Sequence, residues 1–123
     1  MIKYRQIQGD VCYFWGNFSG SFILPHFGFL RSDLYLGKHD LIGTEIYEND
    51  VVMCYTIVRV KGFSTTKKFK GRIVYDDNTM TWRVVGTIGL RKVALSVATC
   101  WDYNVIGIED NPISINFKDY QVF

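Results

Sequence analysis

Two glutamates three residues apart, Glu45 and Glu48, form the carboxylate pair in this chain whose spacing suits acid–base chemistry. Such catalysis needs a nucleophile, a substrate-positioning group or a metal beside the carboxyl that exchanges the proton. Nothing nearby in the sequence supplies a nucleophile or a metal site. We therefore expect both glutamates to satisfy backbone groups at a turn, as polar residues at turns commonly do.

The other groups able to bind a metal or act as a nucleophile are few and scattered. They are three cysteines and two histidines: Cys12, Cys54, Cys100, His26 and His39. A structural zinc site needs about four ligands at short characteristic spacings, which these residues do not offer. We expect no enzyme activity, no metal and no cofactor. The odd number of cysteines predicts free thiols that pack as small hydrophobes, and hence a cytosolic location.

A run of positive residues without any acid lies between positions 59 and 72. Its six cations are Arg59, Lys61, Lys67, Lys68, Lys70 and Arg72. Phe63 and Phe69 lie among them, so the segment offers charge for phosphates and rings for stacking on bases. The same lysines also suit a solvated hairpin tip that discourages strand aggregation. The net charge of the chain, +2, is too small to choose between these two interpretations.

Aromatic residues offer a second way to bind a macromolecule, because a few buried aromatics carry much of the energy of protein interfaces. The candidates for contact with a protein partner are Trp15, Phe63, Phe69 and Trp82. Trp15, Tyr13 or Trp82 would also suit the rim of a pocket for a small ligand. No apolar run approaches the roughly 18 residues of a membrane helix, so no membrane partner is expected.

The elements that must position these residues are predicted to be strands. Of the 123 residues, 16% are aromatic and only two are alanine, whereas Val, Ile and Thr are abundant. The firmest strands are predicted at 51–60, 71–75, 80–85 and 103–108. Residues 61–70 are predicted to form a polar loop or hairpin tip, and 91–101 fit either a strand or one or two helical turns. Seven residues are expected to be mostly buried: Val52, Val58, Ile73, Val74, Val84, Val105 and Ile106.

Several segments, in the expected order, resemble the YopX family. The run GKHDLIGTEIYENDVV, residues 37–52, resembles the family pattern T-G-L-K-D-x-x-G-K-E-I-Y-E-G-D-I-V. The run VIGIEDNP, residues 105–112, resembles its closing V-I-G-N-I-Y-E-N-P. Residues 2–5 are similar to its K-F-R start, and residues 71–76 to its G-x-V-x-Y-D strand and turn. The resemblance therefore covers most of the chain.

The YopX resemblance implies an SH3-like β-barrel of phage or prophage origin, without an established biochemical activity. We expect one domain over 1–123, with the barrel core at about 35–112 and an aromatic-rich N-terminal β extension packed on it. The expected function is that of a non-enzymatic binding module that engages a host or phage macromolecule. Binding of nucleic acid through residues 59–72 is the alternative, and sequestration of a small ligand is a second one.

The motif residues are interpreted as structural. Asn49 stands where the family has Gly, so its backbone is expected at positive φ. Asp50 is expected to accept backbone amides across the turn, and Gly43 and Gly107 suit close backbone approach or bulges. The full structural set is Gly43, Glu45, Tyr47, Glu48, Asn49, Asp50, Gly107 and Pro112.

Overall fold

The computed structural model describes residues 2–28, 30–40, 42–97 and 102–108, the last of these and 58–60 by their backbone alone. These residues form ten strands and no α-helix, which confirms the prediction of a mostly β fold. No helix within the described ranges is long and apolar enough to cross a membrane.

The first five strands form one sheet. They are β1 (Lys3–Gln8), β2 (Val11–Phe18), β3 (Ser21–Ile23), β4 (Asp33–His39) and β5 (Glu45–Tyr47). Their order across the sheet is β3-β2-β1-β4-β5. Two-residue turns join the first three strands, and Gly9 and Gly20 supply the positive φ that such turns require, at 63° and 85°. The aromatic-rich N-terminal segment is therefore a set of short hairpins, as its turn-forming residues predicted.

The remaining five strands form a second antiparallel sheet. They are β6 (Asp50–Val60), β7 (Phe63–Asp76), β8 (Thr81–Ile88), β9 (Arg91–Ser96) and β10 (Asp102–Ile108). The order is β10-β6-β7-β8-β9, which places β10 and β9 at opposite edges in the described pairings. Closure of this sheet into the SH3-like barrel stays a prediction.

Two of the alternatives for local structure are wrong. Residues 61–70 form the tip of a hairpin and not a loop, because only Lys61 and Gly62 form a turn and β7 begins at Phe63. Their polar composition reflects exposure of this stretch, while ladder pairing with β6 fixes the backbone. The helical alternative for 91–101 is also wrong for 91–96, which form β9, and residues 98–101 lie outside the described part of the chain.

The main core lies on one face of the second sheet, and a smaller buried cluster of Val74, Val85 and Ala94 lies on the other. Alternation along the strands places the members of the main core on one face, and Ile46 of β5 is buried with them. The main core consists of Ile46, Val52, Cys54, Phe69, Ile73, Val84, Val93, Leu95 and Val97. Burial is confirmed for four predicted residues, Val52, Ile73, Val74 and Val84. The side chains of Val58, Val105 and Ile106 lie outside the description.

Cys54 overturns the prediction of free thiols. It is buried in the core cluster and disulfide-bonded, whereas Cys12 is free and exposed. Cys100 lies outside the described residues. The cytosolic location predicted from free thiols loses that support and stays a prediction.

The turn before β6 has the geometry that the motif predicted. Asn49 has a φ of 68°, and its backbone N–H donates to the backbone carbonyl of Ile73 at 2.8 Å. The carboxylate of Asp50 accepts the amide of Tyr47 at 2.8 Å. Gly43 also has a positive φ, 88°, and a register shift in β10 ends at Gly107, as expected of a bulge. Pro112 lies outside the described residues.

A buried guanidinium joins the two sheets. Arg5 of β1 donates to Asp50 at the start of β6 at 2.6 Å and to Asp33 of β4 at 3.0 Å. All three side chains are at most 5% exposed. Arg5 also lies over the ring of Tyr47, 4.7 Å from its centroid, and Asn49 donates to Asp33 at 3.0 Å. The N-terminal strand β1 thus supplies the cation that pairs with Asp50 of the sequence motif.

We expect Arg5→Met to lower the free energy of unfolding by about 3–5 kcal/mol, because two buried carboxylates lose their cation. Arg31 is the matched control, since it pairs with the same Asp33 at 3.1 Å but is 30% exposed. Arg31→Met is expected to cost at most about 1 kcal/mol. Urea unfolding of the two variants measures both values, and equal losses would contradict the role of burial.

Candidate functional site

The β6–β7 hairpin projects beyond both of its neighbours. β10 pairs with β6 no further than Tyr55, and β8 pairs with β7 no further than Gly71. The four outermost pairs of the hairpin, from Ile57↔Thr66 to Val60↔Phe63, therefore have no third strand among the described residues. We call residues 57–66 the arm. Four residues at about 3.3 Å each give it a length of about 13 Å before the turn.

Water surrounds the arm. Every side chain described in it is exposed, including Ile57 at 52% and Phe63 at 77%. Its register is held by the two-residue turn, where Lys61 and Gly62 have φ of 51° and 83°. This is the pair of positive φ values that suits the twist of a two-stranded ribbon. The arm is thus ordered by local chemistry and by the sheet at its base.

Alternation along β7 divides the basic run between two faces. Lys68, Lys70 and Arg72 lie on the face opposite the core, at successive spacings of about 6.6 Å. Lys67 lies on the other face, in line with Phe69. Lys68 and Lys70 are exposed, and Arg72 is partly buried.

A fourth cation extends this charged surface across the sheet. Lys92 of β9 lies opposite Thr87 of β8, on the same face and just beyond the last β7–β8 pair, Gly71↔Gly86. We call the exposed lysines Lys68, Lys70 and Lys92 the basic face. No acidic residue occurs in the sequence between Asp50 and Asp76. Asp76, at the far end of β7, is neutralised by Arg83 at 3.1 Å. The basic face therefore presents exposed lysines to solvent, with the backbone of Asp102 in the row of Lys68, two strands away.

Phe69 does not belong to this surface, and its predicted role in contacting a partner or a base is wrong. It pairs with Cys54 on the core face and is 3% exposed. Phe63, beside the turn, is the aromatic residue that the arm presents to solvent. Arg59 lies on the arm opposite Ser64, and its side chain is outside the description. Lys61 occupies the turn itself.

The two predicted tryptophans do not join the arm. Trp15 is in the first sheet, stacked on Tyr4 at 4.2 Å between centroids, and donates to Ser32 at 2.9 Å. Trp82 is partly buried against the core of the second sheet. It lines a cavity of about 260 Å³ together with Leu36, Lys38, Thr81, Ser96 and Val97. The aromatic residues proposed for a protein partner are therefore dispersed.

The glutamate pair is engaged in the junction of the sheets. Although burial alone raises the pKa of Glu45, hydrogen bonds from Lys3 and Tyr47 bring that pKa below its usual value. Burial raises the pKa of Glu48, and the charge of Asp33 adds to this effect. Burial also raises the pKa of Asp50, against the amide of Tyr47 and the charge of Arg5.

No His, Cys, Asp or Glu residues within the described ranges form a group of three that could hold a metal ion. The longest-range contacts of the family-like motif are ion pairs, because Lys3 binds Glu45 and Arg5 binds Asp50. Two of the segments that resemble YopX, residues 2–5 and 37–52, thus meet in space. In comparisons with protein-family models, curated proteins and solved structures, nothing matches this chain.

The opposite pKa directions of the two glutamates predict opposite effects of pH. The raised pKa of Glu48 means that its contribution to stability is present below its ordinary pKa of 4.5 and is lost as pH rises through the folded value. The melting temperature of Glu48→Gln minus that of the wild type should therefore increase as pH rises from about 4 to about 7.

Glu45→Gln is the matched control. Its lowered pKa gives stability that is present above 4.5 and is lost as pH falls through the folded value. The melting temperature of this variant minus that of the wild type should therefore decrease over the same rise in pH. Thermal unfolding at several pH values measures both differences, and a common sign for the two would refute the assignment.

Proposed function

We propose that this protein is a non-enzymatic binding module that contacts nucleic acid through the basic face and the arm. The observation that carries the proposal is the projection of a hairpin without acidic residues between Asp50 and Asp76, in which exposed Lys68 and Lys70 lie opposite Tyr55 and Met53 of β6. Lysines contribute to nucleic-acid affinity by neutralising phosphates and releasing their counterions, which needs no base sequence. An ordered row of such cations places several phosphate contacts on one rigid strand.

A protein partner has less support in the geometry. Interfaces between proteins draw most of their energy from a few clustered, buried anchors. Here Phe69 is in the core, and Trp15 and Trp82 belong to different sheets. Phe63 alone among the four predicted aromatics is available on the arm. The charge pattern of the hairpin therefore favours a polyanion.

The origin and site of action belong to the same proposal. The resemblance to the YopX family supports a phage or prophage origin. The disulfide at Cys54 argues against a reducing compartment. An SH3-like barrel would suit a small accessory module, and such folds host many functions.

We expect the wild type to bind DNA at low salt with an affinity that falls steeply as salt rises. The log–log slope should be about −0.7 to −0.9 for each phosphate contacted. The triple reversal of Lys67, Lys68 and Lys70 to Glu should abolish binding and leave the melting temperature nearly unchanged, since exposed charges contribute about 0–1 kcal/mol. Fluorescence anisotropy with labelled DNA measures both proteins.

Single reversals separate the basic face from net charge. Lys68→Glu and Lys38→Glu change the charge of the chain equally, and both lysines are exposed, but Lys38 lies on β4 in the first sheet. Lys68→Glu should reduce the salt slope by about 1, and Lys38→Glu should leave it unaltered. Equal losses would show a non-specific charge effect, and no binding of any nucleic acid by the wild type would reject the proposed function.

The cavity beside Trp82 supports a second candidate function, binding of a small ligand. Its volume of about 260 Å³ is close to the lower end of the range for ligand sites, about 300 Å³. Its walls combine the indole of Trp82, the apolar side chains of Leu36 and Val97, and the cation of Lys38. A small aromatic carboxylate has the matching chemistry.

Benzoate is the probe for this second function. We expect it to raise the melting temperature in proportion to its concentration, because a ligand that binds only the folded state stabilises it. Benzamide, which has a similar shape and no charge, should have a weaker effect, as should benzoate on Lys38→Gln. The absence of any shift with benzoate would remove this candidate.

A further inference from the structure

We propose that the arm enters the major groove of double-stranded DNA, while the basic face holds the phosphates at the edge of the groove. This inference rests on the proposed function and specifies the form of nucleic acid. It follows from the dimensions of the arm, from its side chains and from the burial of Phe69.

The width of the arm selects the groove. The arm is a ribbon of two strands, about 4.8 Å apart, and no third strand lies beside it among the described residues. The major groove of B-form DNA is about 12 Å wide and admits a ribbon of two strands, whereas the minor groove is about 6 Å wide. The arm therefore has the form of ribbon that the major groove admits.

The length of the arm places its two parts at different depths. About 13 Å of ribbon extends beyond the sheet, and the major groove is about 8.5 Å deep. The turn at Lys61 and Gly62 can therefore reach the floor of the groove. Lys68 and Lys70, which follow the base of the arm on β7, then lie at the level of the phosphates.

The side chains of the arm are suited to a groove. Ser64, Thr65 and Thr66 are consecutive, exposed and short, so on the β7 strand the ribbon carries only small polar side chains at these positions. Their hydroxyl groups donate to or accept from base edges, and the methyl group of threonine can contact that of thymine. Lys61 and Phe63 add a cation and an apolar ring beside the turn.

Single-stranded nucleic acid fits this surface less well. Proteins that bind single strands stack successive bases on several exposed aromatic rings along a basic groove. Phe69 would be the second ring of such a platform, but it is 3% exposed and faces the core. Duplex RNA is also disfavoured, because the major groove of A-form helices is too deep and narrow for side chains to read.

The test compares one mixed sequence as duplex DNA, single-stranded DNA and duplex RNA at equal salt, with the intact protein and fluorescence anisotropy. We expect duplex DNA to bind at least about tenfold more tightly than the other two. Bulky substituents at C5 of the pyrimidines, which fill the major groove, should remove that advantage. A ligand that occupies only the minor groove should leave binding unchanged.

A pair of variants connects the effect to the arm. Thr65→Trp widens the ribbon at an exposed position and should weaken binding to duplex DNA by at least about tenfold. Thr44→Trp is the control at an exposed position outside the arm. Both variants should retain the melting temperature of the wild type.

Each result has a distinct meaning. Equal binding to all three nucleic acids, or full binding to the duplex with a filled major groove, would overturn the groove assignment and leave the proposed function intact. No change in Thr65→Trp would do the same. No binding of any of the three would reject the proposed function and this inference together.

Discussion

The ion cluster around Arg5 is the interaction on which the relation between the two sheets depends. Its guanidinium binds Asp33 within the first sheet and Asp50 at the start of the second, away from water. Burial of an ion costs several kcal/mol unless its partners are in place, so a shifted sheet would leave this cation partly unpaired. The polar residues of the family-like motif thus fix an orientation, and Ile46, from the neighbouring strand β5, adds an apolar anchor to the core of the second sheet.

The arm has the opposite character, because it depends on neither core nor ion pairs. Its strands contact each other and the solvent, and a turn of two residues fixes their register. The alternation of side chains along β7 continues from the arm into the sheet, which commits Phe69 to the core and Lys68 and Lys70 to the outer face. The second sheet therefore sets the direction in which the arm projects, although the arm contributes little to the stability of that sheet.

The sequence predicts those features that depend on near neighbours. The long strand at 51–60, the turn at Asn49 and the mostly β fold follow from β-branched runs and from residues that tolerate positive φ. The strand at 63–70 does not, because its alternation is hidden when both faces of a ribbon are polar. The pairing of Arg5 with Asp50, 45 residues away, and the disulfide at Cys54 depend on contacts that no local pattern encodes.

The independence of the arm has a consequence for how such a chain can evolve. Substitutions at Ile57 and from Lys61 to Thr66 change side chains that face water, so most of them should leave folding untouched. The ion cluster, in contrast, tolerates few changes, because replacing any member removes the charge partner of another buried residue. Substitutions in a single hairpin can therefore alter what the protein recognises, while the residues that maintain the fold are conserved by the need to fold.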